Sequence, residues 1–548
     1  MIFKILFLCF GSYQARSVKS VRPLFLLLFL SVGGACHDGA HRALQDRVLH
    51  RGQPGEPHSL DPQLVDDDFS LNVVRDLYEG LTAEDVQGRI GPGVADSWRI
   101  DEAHTTYTFH LRQDARWSNG DPIIADEFVR GIRRAIAPST ASGAAGLLAI
   151  IRGASEIIAG RRSIESLAVV ATAPDELKIE LEHPAPYFLQ ILSQPIAAPL
   201  HEGATDPSKS GKPLPAYNGA YVLATRVPGS LIDLSLNPFY WGISGIGISH
   251  VRYVNVESEE TEMREYLAGQ IDITYSIPIV ELERMRRERS AEVQVAQSLG
   301  VSYLALNLSA PPLKDNADLR KALSIAVDRE LISHNLLGGA SAAYSFVPES
   351  VTNYEPASYV WRLWNRQRQL EYAESLYKRA GYSRSNPLHL RLYSSSNETI
   401  HQTMIAIAEG WRQNLGIETT LVEEEFRVFL AGRKDRSRWD VLRQRWDADF
   451  DDVSNFLEIF STGTGQNDSG YSNAKVDELL AKARAAADPA TRAAIYKSVE
   501  QIILEDNPVI PIYFPLVRRL VNPEVSGAER QAITRTYSKN LSWKLGSR

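Results

Sequence analysis

Thr105–Pro122, TTYTFHLRQDARWSNGDP, is the stretch of sequence that decides the fold class. Polar and apolar residues alternate over TTYTFHLR, and threonine and aromatic residues are frequent there, so this part predicts a β-strand. The tetrapeptide NGDP at 119–122 marks a turn. Asp126–Ile136 then has the pattern of a helix, with Asp126 as its predicted N-cap. A strand, a turn and a helix therefore follow one another directly.

The same mixture of elements extends outward from this stretch in both directions. Apolar residues at helical spacing precede it at Val73–Leu81. Strands are predicted after it at Glu176–Leu181, Ile232–Leu236, Ile417–Val422 and Val509–Phe514. Helical patterns occupy Asp315–Leu336, Gln369–Ala380, Thr403–Leu415, Val476–Ala487 and Arg492–Leu504. This interspersion indicates an α/β or α+β protein of several lobes, and the lack of a long linker predicts that the chain passes between the lobes more than once.

Composition excludes several broad classes of protein. The chain has 548 residues, enough for about three or four structural units. Hydrophobic residues make up 44% and charged residues 23%, which excludes wholesale disorder. The net charge of −8 argues against nucleic acid as a partner, since phosphate binding needs a basic surface. Because the two cysteines, Cys9 and Cys36, both lie near the N-terminus, no disulfide framework, structural zinc site or thiol catalysis is expected in the rest of the chain.

The N-terminal region has the parts of an export signal. Basic residues at 16, 19 and 22 precede the apolar run Leu24–Leu30, and the small residues SVGGA lead to Cys36. The run is about half of the ~20 residues that a membrane-spanning helix needs. We therefore predict a signal peptide over 1–35 and a location outside the cytoplasm.

The fate of Cys36 is open at this point. Small residues directly before a cysteine resemble a bacterial lipobox, in which Cys36 is lipidated and becomes the first residue of the mature protein. Gly33 departs from that pattern, which usually has leucine there. The alternative is plain cleavage near Ala35, and translation starting near Val18 or Val21 is compatible with both.

Signatures of catalysis are absent from the sequence. No G-x-S-x-G, H-E-x-x-H, phosphate-binding loop or dinucleotide-binding glycine pattern occurs. The strongest acidic cluster is WDADFDD at 446–452, which contains Asp447, Asp449, Asp451 and Asp452. Alternating carboxylates bind calcium in some proteins, but this segment lacks the glycine and the later glutamate of an EF-hand loop. We expect no catalytic residue, metal or cofactor, and keep a metal-dependent extracytoplasmic hydrolase and a holdase-like chaperone as alternatives.

Motifs in order along most of the chain resemble one known family. They include GPGVADSW at 91–98, TYTFHLRQDARWSNGDPIIADEFV at 106–129, NGAY at 218–221, DLRKALSIAVDRELI at 318–332 and WDVLRQRWDADFDDVSNFL at 439–457. From about residue 48 to the C-terminus, the sequence is similar to the oligopeptide-binding proteins of bacterial ABC importers, which belong to a periplasmic solute-binding family with dipeptide and nickel receptors.

The resemblance implies an α/β fold of two lobes around a hinged cleft, with an extra domain in the N-terminal third. Carried onto this sequence, it places the signal peptide at 1–35. Lobe I then consists of 36–78, 215–299 and 517–548, the extra domain of 79–214, and lobe II of 300–516.

The resemblance also implies a set of peptide-binding residues. Asp449 corresponds to the aspartate that pairs with the peptide's α-ammonium, and Arg443 to an arginine that meets the terminal carboxylate. The other matching positions are Trp446 in a side-chain pocket, His401 and Arg433 at the carboxylate end or cleft wall, Phe426 as an aromatic wall, Tyr275 and Tyr303 near the ligand, and Asp66 near the first peptide residue. Tyr275, Tyr303 and Trp446 could instead be ordinary core aromatics, and Arg433 could be a solvated charge.

Four positions depart from the family pattern. Leu337 stands where a lysine can meet the shortest ligands, and Ala144 where a tyrosine lines the cleft. Arg445 and Asp447 add charge where the family often has small or neutral residues. These departures leave the preferred length and composition of the peptide open.

The sequence thus predicts a non-enzymatic, monomeric receptor in the periplasm. It would capture oligopeptides and deliver them to an inner-membrane ABC permease with ATPase subunits, and a lipid on Cys36 would tether it to the membrane. A receptor for murein peptide, nickel or haem on the same fold is the alternative; a free-amine ligand suits Asp449 better than a metal chelate or haem does.

Overall fold

Three larger sheets and three two-stranded sheets organise the part of the chain that the computed structural model describes, which comprises residues 47–202, 216–528 and 536–544. The predicted signal peptide and Cys36 lie outside these residues. Within the described ranges, no helix combines the length and the apolar character that crossing a membrane requires.

The strands of the structure are numbered β1 to β20 in chain order. They are β1 Val48–Gln53, β2 Thr82–Glu84, β3 Ile90–Pro92, β4 Ala95–Ile100, β5 Thr106–Leu111, β6 Val169–Ala173, β7 Glu176–Glu180, β8 Tyr221–Val227, β9 Leu231–Leu236, β10 His250–Asn255, β11 Val293–Gln297, β12 Gly300–Leu306, β13 Ser341–Ala342, β14 His389–Ser395, β15 Glu418–Glu424, β16 Val441–Asp447, β17 Val509–Phe514, β18 Leu516–Leu520, β19 Val525–Ser526 and β20 Ser542–Trp543.

The α-helices are numbered in the same way. They are α1 Asp68–Leu77, α2 Ala125–Ile136, α3 Ala154–Ile158, α4 Phe188–Ile191, α5 Glu259–Leu267, α6 Ile279–Glu288, α7 Ala317–Ala326, α8 Arg329–Leu331, α9 Arg366–Arg379, α10 Glu398–Leu415, α11 Phe426–Gly432, α12 Ser454–Leu457, α13 Ala474–Ala485 and α14 Pro489–Asp506.

The first sheet joins distant parts of the sequence. Its strand order is β1-β10-β9-β8, and β1 runs parallel to β10 with Val48 opposite His250. A similar long-range pair forms between β11 and β18, where Val293 lies opposite Leu520. The chain therefore leaves this region, folds elsewhere and returns to it.

The second sheet contains the stretch that opened the sequence analysis. Its order is β4-β5-β7-β6, all antiparallel, and the strand predicted at Thr105–Arg112 is confirmed as β5. The predicted N-cap of the following helix is wrong. The N-cap is Ile124, whose backbone nitrogen donates to the Glu127 side chain at 3.2 Å, while Asp126 lies inside the helix and pairs with Arg130 at 2.7 Å.

The third sheet has six strands in the order β13-β17-β12-β16-β14-β15. All seven residues of its central strand β12 are buried. Leu304 and Leu306 pack into one apolar cluster, whereas Val301, Tyr303 and Ala305 pack into another. A strand between two cores has a fixed register, because a slip by one residue would exchange its faces.

The helix predicted over Asp315–Leu336 is interrupted. Helix α7 ends at Ala326, and Asp328 begins a new short turn by accepting from the backbone nitrogen of Leu331 at 3.0 Å. The next residue, Arg329, is buried and donates to the carbonyl oxygens of Ser324 and Pro511. The Arg329 guanidinium thus joins segments that are distant in sequence, and it stabilises the interruption between α7 and α8.

Candidate ligand-binding site

A cavity of about 1320 Å³ is lined by residues of β1, β10, β16 and β18, together with the segments 143–150 and 183–196. It exceeds the range of about 300–1,000 Å³ that is usual for drug-sized ligands. Its charged lining residues are Arg51, Arg75, Arg443, Arg445, Arg484, Arg518 and Arg519, with Asp66, Asp67, Asp68, Glu259, Asp447, Asp449 and Glu458. The cavity is therefore large and presents charges of both signs among apolar residues, as suits an extended charged ligand.

Strand β16 carries several of the predicted site residues to this cavity. It pairs antiparallel with the buried strand β12, and Trp446 lies opposite Val301. The first residues of β16 are buried in the cores, and Arg443, Arg445 and Trp446 reach the cavity further along. Gly300 opposite Asp447 permits this close approach, since a Cβ there would lie 2.4 Å from a carboxylate oxygen of Asp447. The core thus sets the position of the polar end of β16.

The aspartates that follow have separate neighbours. Asp447 pairs with Arg445 at 2.7 Å, and Asp451 accepts from the backbone nitrogen of Thr352 at 2.9 Å. Asp452 forms a two-pronged ion pair with Arg492 at 2.7 and 2.8 Å. Burial would lower the pKa of Arg492, but this ion pair raises it. Asp449 is exposed and lines the cavity. This distribution of partners does not form a shared metal site.

A convergent acidic group does occur elsewhere among the described residues. Potential ligand atoms of His58, Asp66 and Asp67 lie within 4.8 Å of one another. His58 already pairs with Asp67 at 2.7 Å, and Asp67 caps helix α1 by accepting from the backbone nitrogen of Ser70 at 2.8 Å. Because the group is largely exposed and serves as a helix cap, its geometry is explained without an ion.

The turn that carries Asp449 is held by the segment at 187–190. Phe450 stacks on Tyr187 with ring centroids 4.3 Å apart and an interplanar angle of 10°. The side chain of Gln190 accepts from the backbone nitrogen of Asp451 at 2.8 Å and donates to its carbonyl oxygen at 3.2 Å. These contacts fix the backbone on the C-terminal side of Asp449.

Among the described residues, the hydrogen-bond partners of Arg443 are two hydroxyl groups. Its guanidinium lies 3.3 Å from the hydroxyl of Tyr513 and 3.4 Å from that of Ser302, and no described carboxylate comes within 4.0 Å. Burial would raise the pKa of Tyr513, but the positive charge of Arg443 and the hydrogen bonds from Ser302 and Arg443 lower it below its usual value. The surroundings of Arg443 are therefore electropositive.

Three further predicted residues line the cavity. The indole nitrogen of Trp446 donates to the side-chain oxygen of Asn455 at 3.1 Å. The backbone nitrogen of Tyr275 donates to buried Glu262 at 2.6 Å. Burial raises the pKa of the Tyr275 hydroxyl. Asp66 is exposed at the cavity wall beside Gly143, where a Cβ would lie 2.2 Å from its carboxylate. Tyr275, Trp446 and Asp66 thus join Arg443 and Asp449 around one space.

The other four predicted residues are outside the described cavity wall. Tyr303 is buried against Phe346, with ring centroids 5.1 Å apart. His401 pairs with Glu423 at 2.8 Å. Arg433 lies 4.0 Å from Asp468, and Phe426 is 57% exposed. Their part in ligand binding stays a prediction, although Asn397, Thr399 and Ile400 beside His401 do line the cavity.

Sequence reasoning missed Arg518 and Tyr513 at the cavity. Both belong to the run IYFPLVRRLV at 512–521, in which β17 and β18 follow one another around Pro515. A charged residue within an apolar strand pattern was the available signal. Whether the side chain of Arg518 faces the cavity depends on the pairing of β18 with β11, which is distant in sequence; in this pairing Arg518 lies opposite Val295.

The family model described as "Bacterial extracellular solute-binding proteins, family 5 Middle" matches residues 89–468 of this chain. The Periplasmic oligopeptide-binding protein OppA of Escherichia coli (strain K12) is 32% identical over 535 residues, covering 96% of this chain and 98% of the relative. The Probable deoxycholate-binding periplasmic protein YgiS of the same organism is 33% identical over 486 residues, covering 88% and 90%.

A solved structure of Haemophilus influenzae OppA in complex with RPPGFSPFR has the same fold. It matches with a TM-score of 0.78 at 30% identity, covering 91% of this chain and 99% of the other. The fold described above is therefore the two-lobed α/β binding-protein fold with a cleft and an additional domain.

Proposed function

This chain belongs to the bacterial extracellular solute-binding proteins of family 5, and we propose that it captures oligopeptides and delivers them to an ABC-type peptide permease. Family members are binding proteins rather than enzymes, and we infer the same for this chain. The proposal rests above all on one observation, the presence of Asp449 and Arg443 in the wall of one large polar cavity.

Those two residues have the chemistry that peptide ends require. A free peptide carries an ammonium at one end and a carboxylate at the other, whatever its side chains are. A carboxylate such as Asp449 pairs with an ammonium, and a guanidinium binds a carboxylate through charge-assisted hydrogen bonds. Trp446, Tyr275 and Asp66 complete the proposed peptide-binding wall. Water in so large a cavity would bridge to ligands of different length.

We propose a smaller contribution to peptide binding for the four predicted residues outside the cavity wall, which are His401, Arg433, Phe426 and Tyr303. The position of His401 beside cavity-lining Thr399 and Ile400 supports contact with longer peptides. Phe426 stays a candidate aromatic wall, and Arg433 a candidate for the carboxylate end. Tyr303 would act from the core behind β16, since it lies opposite Gln444 on that strand.

Location and organisation form a second part of the proposal. Periplasmic relatives support a periplasmic receptor, and we propose that it is monomeric and that Cys36 carries a lipid. We assign 36–78, 215–299 and 517–548 to lobe I, 79–214 to the extra domain and 300–516 to lobe II. The pairing of β1 with β10 and of β11 with β18 supports the discontinuous lobe I.

The proposal is tested by calorimetry on purified wild-type protein. An alanine peptide series graded by length would first identify a bound length. The N-acetylated and C-amidated forms of that peptide are then compared with the free peptide, and deoxycholate serves as a ligand with a carboxylate but no ammonium. We expect the free peptide to bind most tightly and N-acetylation to weaken binding by about a hundredfold or more. Deoxycholate binding with no peptide binding would overturn the proposal.

Anchoring needs its own experiment. Wild-type protein expressed in a lipoprotein-processing bacterium should incorporate labelled palmitate and fractionate with membranes, whereas Cys36→Ser should do neither. Cys9→Ser is the matched control and should behave as wild type. Equal, salt-resistant membrane association of the Cys36→Ser variant would contradict lipidation at this residue.

A further inference from the structure

Three guanidinium groups gather around Tyr513 on one side of the cavity. Arg443 and Arg445 come from β16, and Arg518 comes from β18. The hydroxyl of Tyr513 lies 3.3 Å from Arg443. Tyr513, Arg443, Arg445 and Arg518 all line the cavity, and we call these four residues the arginine cluster.

The protein supplies little negative charge to this cluster. Arg445 is paired with Asp447 at 2.7 Å. Arg518 donates through Nε to the carbonyl oxygen of Ile277 at 2.9 Å, and no described carboxylate lies within 4.0 Å of its guanidinium. Arg443 likewise has only hydroxyl partners. Two of the three positive charges therefore face the cavity without a carboxylate beside them.

Acids on the neighbouring elements act from a greater distance. Burial lowers the pKa of Arg518, and Glu259 and Tyr513 oppose that shift without coming into ion-pair contact. Asp68 similarly contributes to the field at Arg445. Two other cavity or core tyrosines, Tyr275 and Tyr303, have raised pKa values, as burial dictates, whereas the pKa of Tyr513 is lowered. The lowered pKa of Tyr513 indicates a local excess of positive charge.

One terminal carboxylate would not use all of these donors. A guanidinium offers five N–H donors, and a carboxylate usually engages one guanidinium in a two-pronged arrangement. Arg443 alone would serve the end of a peptide. Arg518, which is partly buried, and the exposed edge of Arg445 would still face the ligand, and a positive charge that a ligand buries without a partner is costly.

We propose that the arginine cluster binds a second carboxylate of the ligand, so that the receptor prefers peptides with an aspartate or glutamate side chain. This proposal rests on the proposed function, since it takes the ligand to be a peptide. Arg518 is the residue that sets the preference, and Arg445, held by Asp447, assists it.

The test uses peptides in which only a side chain supplies the second charge. Alanine peptides of the bound length, with a free N-terminus and an amidated C-terminus, carry a single glutamate or glutamine at each position in turn. For wild-type protein, we expect glutamate to bind at least about tenfold more tightly than glutamine at one position, because a charge-assisted hydrogen bond is replaced by a neutral one. The glutamate preference should shrink at high salt.

Variants connect the preference to Arg518. Arg518→Gln should reduce the glutamate-to-glutamine ratio to near one, and Arg518→Lys should retain part of it. Arg412→Gln removes an exposed arginine paired with Glu409 away from the cavity and should keep the full ratio. Thermal unfolding of each variant verifies that it folds.

The outcomes separate the two proposals. Equal binding of glutamate and glutamine peptides at every position by wild-type protein overturns the acidic preference, while tight binding of the plain alanine peptide leaves the proposed function standing. A preference that survives in Arg518→Gln also overturns the assignment to the arginine cluster. If no peptide binds, both proposals fail together.

Discussion

Six of the nine residues that sequence similarity assigns to the ligand site fall into two groups in the structure. Arg443, Trp446 and Asp449 lie on β16 and its turn, beside the buried central strand, and line the cavity. His401, Phe426 and Arg433 lie at or beside α10 and α11, near the sheet edge formed by β15. We call them the β16 group and the edge group.

The two groups differ most clearly in the charges that face them. Arg443 has no described carboxylate within 4.0 Å, whereas His401 has Glu423 at 2.8 Å and Arg433 has Asp468 at 4.0 Å. A ligand carboxylate that approaches the edge group must compete with carboxylates of the protein. The available counter-charge, as well as the residue type, therefore determines which matching residues are poised for a ligand.

The largest effect should follow from Asp449→Asn. The variant keeps size and shape but removes the charge that faces a peptide ammonium. Loss of one member of such a pair costs about 3–5 kcal/mol when the bound peptide and the closed cleft bury it. We expect affinity for a free peptide to fall by about a hundredfold or more in calorimetry. N-acetylation should then add little further loss. A full N-acetylation penalty in the variant would show that the ammonium site lies elsewhere.

A pH effect tests whether buried Glu262 pre-forms the wall at Tyr275. Burial raises the pKa of Glu262 to about 7, above its unfolded value of 4.5, despite hydrogen bonds from the backbone of Tyr275 and Ser276. The free energy of unfolding is therefore unaffected by this carboxyl below about pH 4.5, where it is protonated in both states. It falls by up to about 3 kcal/mol as the pH rises through 7, because the folded protein must then bury the charged form.

Denaturant unfolding at pH 5 and pH 8 measures that loss. Glu262→Gln should reduce the fall in stability between these values, and a remaining slope is expected from Glu500, whose pKa burial also raises to about 7. Glu283→Gln, on the exposed side of helix α6, is the control that should leave the slope as in wild type. An unchanged slope in Glu262→Gln would contradict this role.

A smaller effect is expected from Arg443→Gln. Removing its charge should weaken binding of a peptide with a free C-terminus by about tenfold, since water bridges part of the lost interaction. The C-amidated peptide should show little change between variant and wild type in the same calorimetric assay. Equal losses for both peptides would mean that Arg443 supports the cavity without meeting the carboxylate.

The smallest effect should come from the edge group. His401→Gln is expected to weaken binding by no more than about threefold, because His401 already pairs with Glu423 and exposed pairs contribute about 1 kcal/mol or less. The loss should be confined to the longer peptides of the series. A tenfold loss with the shortest bound peptide would place His401 with the β16 group and remove the distinction.

Local patterns predicted much of the fold. Alternation gave β5, and the apolar run bounded by prolines gave β17 at Val509–Phe514. The break between α7 and α8 was not predictable, because buried Arg329 is held by Pro511, which is distant in sequence. The N-cap at α2 was misplaced because that position holds an apolar residue, Ile124, which carries no capping side chain that the sequence could reveal.

The site was predictable where its residues are contiguous. Arg443, Trp446 and Asp449 share one strand and turn, so a single motif located them together. Arg518 could not be found in this way, because its approach to Arg443 depends on three separate strand pairings, β11 with β18, β12 with β16 and β12 with β17. Its contribution arises from the assembled fold.

The contacts that Tyr187 and Gln190 make with the turn at 450–451 limit which parts of the chain can be exchanged between relatives. The turn beside Asp449 takes its shape from side chains that lie more than two hundred positions earlier in the sequence. A chimera that receives residues 79–214 from a relative keeps these contacts to the turn only if that segment supplies a tyrosine and a glutamine at positions 187 and 190. Residues 79–214, which we assign to a separate domain, therefore also help to shape the binding site.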